Sequence, residues 1–291
     1  MKIGIIGGGS IGLLMAVYLS EQHEVTIYVR RNKQKEHIDT HGLYIGQAHI
    51  QRHIKVDLFT NIQAADCFFI CVKQTDLQDV LPFIQKFQMV PTIFLQNGMG
   101  HLHMIDKLEQ PLFVGVVEHG ARRINDNHVE HTGEGVIKIA AYKDKLHGLD
   151  RLIVAFDRPH FPIIHMDNWY DLLSKKLIVN AVINPLTALF RVKNRQIVKN
   201  THIRNLAKVL CAETATVLRL NEREEWEHVQ NIAHKTGANR SSMLTDIESD
   251  RPTEIEAITG YILGLSDAYL PYTSFVYQSI KAVEKQKGLS E

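Results

Sequence analysis

Six residues near the start of the chain, Gly7-Gly8-Gly9-Ser10-Ile11-Gly12, restrict its fold more than any other stretch. They follow an apolar run, Lys2 to Ile6, that reads as a short buried strand. Ile11 to Ser20 then carries apolar residues at helical spacing, and His23 to Val29 (HEVTIYV) alternates and is rich in β-branched residues. Strand, glycine turn, helix and strand make a βαβ unit. In that context G-x-G-x-x-G has a physical reading: Gly7 permits the tight turn, Gly9 lets a pyrophosphate approach the backbone, and Gly12 lets the helix pack closely on the strand. The helix N-terminus offers free N–H groups and partial positive charge, so Gly7, Gly8, Gly9, Ser10, Ile11 and Gly12 are candidate cofactor-binding residues.

The rhythm continues. Cys67 to Val72 (CFFICV), Thr92 to Leu95, Phe113 to Val117 and Val136 to Ala140 are strand candidates, and Asp76 to Phe87 is a helix candidate. Such alternation predicts a mostly parallel, doubly wound sheet. Near residue 165 the texture changes. Trp169 to Phe190, with one interruption at Pro185, then Ile203 to Leu220, Glu222 to Thr236 and Thr253 to Tyr269 all read as helices. The prediction is an α/β domain over 1–165 that binds the cofactor, and an all-helical substrate and catalytic domain over 166–291. A chain of 291 residues, 45% of them apolar, can build both cores. With 33 basic against 32 acidic residues, the charge argues against a nucleic-acid or polybasic membrane partner. Three cysteines cannot form a disulfide framework and suit a reducing compartment. Glycines break the N-terminal apolar run, and no other segment approaches the ~18 consecutive apolar residues of a membrane span, so a soluble cytoplasmic protein is expected. The helical half has apolar surface enough for a homodimer, although periodicity does not separate an interface from a core.

The end of the second strand chooses the cofactor. An NAD site usually carries an acidic residue there, for the ribose 2′-OH. This chain has Val29-Arg30-Arg31-Asn32 instead. A guanidinium can bind a 2′-phosphate with paired hydrogen bonds, so NADP(H) is predicted, with Arg30 the first candidate and Arg31 the second. Two solvated arginines at a strand end are the alternative. Lys73 and Asn97 follow two further strands, where ligands of doubly wound sheets bind. Lys73 could contact phosphate or ribose, and Asn97 could reach the nicotinamide region; Asn97-Gly98 is also an ordinary turn pair.

In the helical half, Lys176, Asn180 and Asn184 fall at i, i+4 and i+8 and share one helical face amid Leu173, Leu177, Ile178, Val179, Val182 and Ile183. Polar groups in so apolar a helix need partners if buried, and a ligand could supply them. Pro185 predicts a bend or restart at Asn184, for which an N-cap is the other reading. Ser242 could bond a substrate carboxylate or cap a helix. Thr253 and Glu256 fit a capping box, which leaves Glu254 without a local explanation.

Several stretches together resemble one family, the ketopantoate reductases (2-dehydropantoate 2-reductases). They are KIGIIGGGSIG, VKQTD at Lys73, LQNG at Asn97, HGARR at His119, KLIVNAVINPLTAL from Lys176, SSMLTD from Ser241 and PTEIEAITGY from Pro252. The resemblance spans essentially the whole chain. It implies a Rossmann-type domain followed by a helical domain, and reduction of ketopantoate to pantoate by NADPH on the route to pantothenate and coenzyme A. It implies Lys176 as general acid, and Glu254 as a catalytic group holding the reacting oxygen or the substrate hydroxyl. It further implies Asn180, Asn184 and Ser242 as substrate-binding residues, Ser242 being suited to the carboxylate. Asn97 and Lys73 fall at the cofactor–substrate junction, and Arg30 at the 2′-phosphate. Hydride would leave nicotinamide C4 for the keto carbon while the lysine stabilises and protonates the oxygen. Asp246 matches the family motif without an assigned role, and Glu118 departs from the small polar residues usual before the HGARR stretch.

Two other functions fit the same features: reduction of another small 2-keto acid, and NADPH binding by a regulatory protein without turnover. The 16 histidines raise a metal site, but His101-x-His103 and His128-x-x-His131 match no zinc pattern, so no metal is expected and the histidines read as scattered surface residues. Cys67 and Cys71 read as core.

Overall fold

The computed structural model describes residues 1–46, 50–143 and 148–289. In chain order the elements are β1 (Lys2–Ile6), α1 (Ser10–Leu19), β2 (Glu24–Val29), α2 (Asn32–His41), β3 (Leu43–Ile45), β4 (Ile50–Arg52), β5 (Lys55–Leu58), β6 (Cys67–Ile70), α3 (Leu77–Ile84), β7 (Thr92–Phe94), α4 (Leu102–Ile105), β8 (Leu112–Val117), β9 (Gly120–Arg123), β10 (His128–Gly133), β11 (Ile137–Lys143), α5 (Leu149–Phe156) and β12 (Ile163–Met166). Then follow α6 (Trp169–Phe190), α7 (Gln196–Lys199), α8 (Thr201–Val217), α9 (Glu222–Lys235), α10 (Ser242–Glu248), α11 (Tyr261–Gly264) and α12 (Pro271–Gln286), with a π turn at Glu256–Gly260 before α11. The mixed sheet with flanking helices, followed by helices alone, is the fold class the sequence predicts. By packing, the chain divides into two compact units: Met1–Gln96 with His103–Leu172, and Asn97–Leu102 with Leu173–Glu291. Asn97 thus packs with the helices, although the sequence places it in the first domain.

In the first unit eight strands run in the order β12-β11-β8-β7-β6-β1-β2-β5, parallel except for the β8/β11 pair. Strand order reverses at β1, between β6 and β2, which puts the glycine turn at the switch point where such sheets bind ligands. β1 and β6 are apolar because both faces are covered; Ile3, Ile5, Ile6, Phe68 and Phe69 are fully buried. A second sheet, β4-β3-β10-β9, packs on α1. The sequence does not announce it, because its strands have 3 to 6 residues and little apolar alternation. It also explains why α1 is apolar all round: large sheet on one side, small sheet on the other.

Helix α6, which belongs to the second unit from Leu173 onward, runs unbroken for 22 residues through Pro185, where the sequence suggests a bend or restart. Among the described residues it is the one helix long and apolar enough to cross a membrane, but 83% of its apolar window is buried, as in a core helix. Pro185 removes one amide donor from the ladder. Thr187, two residues on, sets its Oγ1 2.7 Å from Ile183 O and 3.1 Å from Asn184 O, and so ties its hydroxyl back to the preceding turn.

The histidines are not all surface residues. His101 is fully buried and His119 nearly so. Tyr18 OH donates to His131 Nδ1 at 2.9 Å, and His131 Nε2–H donates to His119 Nδ1 at 3.0 Å, which also accepts from Gly135 N–H at 3.1 Å. Phe161 stacks on both Tyr18 and His119, with ring centroids at 4.6 and 4.4 Å. This arrangement uses neutral imidazoles. Burial, then the neighbouring His131, lowers His119 from 6.5 to about 4; burial also lowers His131 and His23. Between pH 6.5 and 4 the unfolded chain therefore binds protons that the folded chain refuses, so stability rises with pH across that window. Urea unfolding at a series of pH values should show the first unit losing on the order of 3 kcal/mol through His119 as pH falls across it. His119→Gln should make that slope shallower; an equal slope in the variant would assign the acid sensitivity elsewhere.

Candidate active site

The glycine turn has the shape its sequence demands. Gly7 sits at φ +120°, and a Cβ there would lie 2.9 Å from the Cys71 carbonyl carbon and the Val72 nitrogen. A Cβ on Gly12 would lie 1.8 Å from Gly7 O, so the first turn of α1 can approach β1 only because residue 12 is glycine. Nothing lies within 4 Å of the corresponding position on Gly9, which leaves its backbone open to a ligand. Gly9 caps α1 without a side chain, and no acidic residue occupies the first turn that Ser10 and Ile11 begin, so the helix N-terminus keeps its donors and positive potential for an anion. These features fit a dinucleotide pyrophosphate.

Arg30 and Arg31 stand at the exposed end of β2, and Lys73 follows β6 on the other side of β1. Both arginines carry carboxylate partners from elsewhere: Arg30 Nη1 is 3.1 Å from Asp76 Oδ1, and Arg31 Nη2 grips Asp126 Oδ1. Such exposed pairs contribute about 0–1 kcal/mol, little enough for a phosphate dianion to displace them. Cys67 is buried and Cys71 packs its sulfur 3.8 Å from Met15 Sδ. Burial pushes the Cys71 thiol up to about 12, so both cysteines are packing groups.

In the second unit α6 presents Lys176, half-buried, and Asn180 and Asn184, 8% and 6% exposed, along one face. Asn184 Nδ2 lies 3.5 Å from Ser242 Oγ. The cap of α10 is Ser241, whose Oγ accepts Leu244 N–H at 3.1 Å and lies 2.8 Å from Thr187 Oγ1 on α6. The capping alternative for Ser242 is thereby excluded, and its hydroxyl sits exposed at the end of the asparagine face. Nor is Asn184 a cap, since α6 continues through it.

Asn97 and Glu254 come together: Asn97 Nδ2 donates to Glu254 Oε2 at 2.9 Å. Two features bring this about. Gly98, at φ +79°, lies so close to the π turn that a Cβ there would be 2.2 Å from Ala257 O, which itself accepts Met99 N–H at 3.3 Å. The capping box the sequence suggests does not form. Thr253 N–H and Oγ1 both donate to Glu284 Oε1 at 2.7 Å, while Glu256 turns away to accept Tyr277 OH at 2.6 Å, which raises Tyr277 to about 12. A buried carboxylate on α12 does the work expected of Glu256, and so fixes the backbone one residue before Glu254. Asp246, buried, accepts from Arg251 Nε at 2.9 Å and braces α10 against the following loop.

Sequence reading missed Glu284, the Thr187–Ser241 contact, and Gln34, whose Nε2 donates to Gly8 O at 2.9 Å. Gln34 belongs to α2 (NKQKEHIDTH), a polar helix burying only Gln34 and Ile38, and nothing local marks it. The two adjacent serines give a direct check. Ser241→Ala should cost about 1 kcal/mol in chemical denaturation, because it removes an N-cap and a cross-helix contact. Ser242→Ala should leave stability unchanged; equal losses would contradict the division of labour between them.

Comparison with known proteins gives the family. The family described as "Ketopantoate reductase PanE/ApbA" matches residues 3–144, and "Ketopantoate reductase PanE/ApbA C terminal" matches 168–284. The 2-dehydropantoate 2-reductase of Bacillus subtilis is 43% identical over 298 residues, 98% of each chain. A crystal structure of a probable 2-dehydropantoate 2-reductase panE from Bacillus subtilis, 42% identical, superposes with a TM-score of 0.89 over 98% of this chain and 100% of that one. A ternary structure of D-mandelate dehydrogenase with NADH and anilino(oxo)acetate gives a TM-score of 0.92 over 100% of both chains at 22% identity, a likeness of fold alone. With both halves matched and a relative this close over nearly its whole length, the chain is an oxidoreductase and belongs to the ketopantoate reductase family.

Proposed function

We propose that this protein reduces the keto group of 2-dehydropantoate to give pantoate, using NADPH, on the route to pantothenate and coenzyme A. The observation that carries the reading is the Lys176–Asn180–Asn184 face of an otherwise apolar helix, continued by Ser242, in a chain whose relatives bear that activity in their names. The substrate has three polar groups, a carboxylate, a keto oxygen and a terminal hydroxyl, around an apolar dimethyl carbon. That face offers it one cation, two amides and a hydroxyl.

NADPH, when bound, supplies hydride from nicotinamide C4. The glycine turn and the α1 N-terminus hold its diphosphate, Arg30 its 2′-phosphate, and Lys73 its phosphate or ribose groups. As the keto carbon becomes tetrahedral, negative charge grows on its oxygen. The Lys176 ammonium stabilises that charge and delivers the proton to the same oxygen. Glu254, oriented through Asn97, accepts a hydrogen bond from the substrate hydroxyl. Ser242 and the amides of Asn180 and Asn184 bind the carboxylate and fix the carbon skeleton.

Lys176→Ala should lose about 100-fold or more in kcat, the size of a general-acid contribution, while NADPH binds normally in a fluorescence titration. Full turnover would remove Lys176 from the mechanism. Gly98→Ala should also cost about 100-fold in kcat, since it pushes Asn97 out of line with Glu254. Because the fold is shared with a D-mandelate dehydrogenase, the substrate needs its own test. In a panel of 2-keto acids with NADPH, ketopantoate should give the highest kcat/KM, and a better turnover of another 2-keto acid would reassign the substrate.

A further inference from the structure

Glu284 has no place in the reaction described above, yet this one carboxylate governs the backbone on both sides of Glu254. Helix α12 buries Thr273, Val276, Ile280 and Glu284, and Glu284, the last of them, is 3% exposed. A carboxylate at such a position carries a desolvation cost that a packed aliphatic side chain avoids, so its presence is explained by what it holds. Its Oε1 accepts Thr253 N–H and the Thr253 hydroxyl, both at 2.7 Å, and its Oε2 is 3.5 Å from Lys281 Nζ. With its proton on Glu284, Thr253 Oγ1 accepts Ile255 N–H at 3.2 Å. Residues 253 and 255 are thus tied to α12, one directly and one through Thr253, and Glu254 stands between them. A nearer carboxylate was on hand: Glu256 has the capping-box spacing from Thr253, but it accepts Tyr277 OH instead. A capping box would tie Thr253 only to the turn that follows it. Glu284 ties it to a separate helix, and so fixes where the Glu254 side chain starts.

We propose that Glu284 is the positioning residue through which the protein selects a 2-keto acid that carries a terminal hydroxyl. The inference rests on the reading of Glu254 as the acceptor of that hydroxyl. A site built to hydrogen-bond a hydroxyl rejects the analogue that lacks it, because the analogue desolvates the polar group of the site and returns no hydrogen bond. This works only while the acceptor is held still. A carboxylate able to swing aside keeps its hydration and admits both acids alike. Asn97 holds the carboxylate end of Glu254 at 2.9 Å, and Glu284 holds the backbone end. Glu284 touches neither substrate nor cofactor; it acts on selectivity through Thr253 and Glu254.

Steady-state kinetics of the intact protein with NADPH and two acids test this: ketopantoate, and 3,3-dimethyl-2-oxobutanoate, which has a methyl group where ketopantoate has a hydroxymethyl group. In Glu284→Ala, kcat/KM for ketopantoate should fall about tenfold, the size of a hydrogen bond to a charged group, and mainly through KM. The value for the acid without the hydroxyl, and KM for NADPH, should stay as in the wild type. Glu284→Gln, whose amide oxygen accepts the same two donors, should keep most of the selectivity. Equal losses for the two acids in Glu284→Ala would make Glu284 a brace of the fold alone, and overturn the proposal. So would an unaltered ratio in that variant, or a loss of selectivity in Glu284→Gln as large as in Glu284→Ala. Should Glu284→Ala fail to fold, Thr253→Val decides. It removes the hydroxyl that links Glu284 to Ile255 N–H, and should lower the ratio in the same direction; an unaltered ratio stands against the proposal. Wild-type protein that turns over both acids equally well would overturn the reading of Glu254, and this inference with it. Wild-type selectivity that survives in Glu284→Ala overturns the role of Glu284 alone.

Discussion

The first unit depends on how closely α1 approaches β1. Gly12 stands against Gly7 O with no room for a Cβ, and from that contact the rest of the unit follows. It seats α1 on the sheet at the point where strand order reverses, and it aims the helix N-terminus at the open backbone of Gly9. It also leaves the far side of α1 to be covered, which the small sheet does. Covering α1 brings β9 and β10 across the helix. One end of that sheet supplies His131 to Tyr18, and the other returns Arg123 and Asp126 to Gly8. Packing and charge placement in this unit are therefore one constraint: the element that completes the core also carries the ionic groups to the phosphate-binding turn.

The second unit meets a different demand, that of carrying a polar stripe on a helix that is otherwise apolar and buried. Burying asparagine amides without partners costs several kcal/mol each by transfer into an apolar medium, about 4–8 at the upper end. Asn184 finds Ser242 at 3.5 Å, and Ser241 and Thr187 lock α10 beside it without using the Ser242 hydroxyl. Two adjacent serines thus divide structural from functional work. Glu254 is positioned in a similar way: Glu284 fixes the backbone at Thr253, the π turn brings Ala257 O to the Gly98 segment, and Asn97 takes the carboxylate. Of these supporting groups, Ser241, Thr187, Glu284 and Ala257 are not candidates for touching substrate, whereas Asn97 is.

Read residue by residue, the chain exposed its local geometry well and its cross-chain partners poorly. The glycine turn, β1, α1, β2, β6 and the face shared by Lys176, Asn180 and Asn184 were legible, because steric rules at glycine and the period of about 3.6 residues act over a few positions. The predicted break at Pro185 does not occur, because residues 177–188 are buried on every side and their packing holds the helix through the proline. The predicted capping box failed because Glu284, 31 residues on, outcompetes Glu256 for Thr253. The sequence predicts surface histidines, and His101 and His119 are buried instead, because composition says nothing of where a side chain packs.

The sequence by itself determined the fold class, the phosphate-binding turn and the stripe of polar residues on one helix, all of which are written in neighbouring residues. Only the tertiary structure decided the pairings: Asn97 with Glu254 across 157 positions, Asn184 with Ser242 across 58, and Arg123 with Gly8 across 115. The reason is physical. A turn or a helical face follows from backbone sterics and periodicity within a few bonds. A contact between distant residues exists only once the chain has closed the loop between them, and which groups then meet is set by the packing of every element in between.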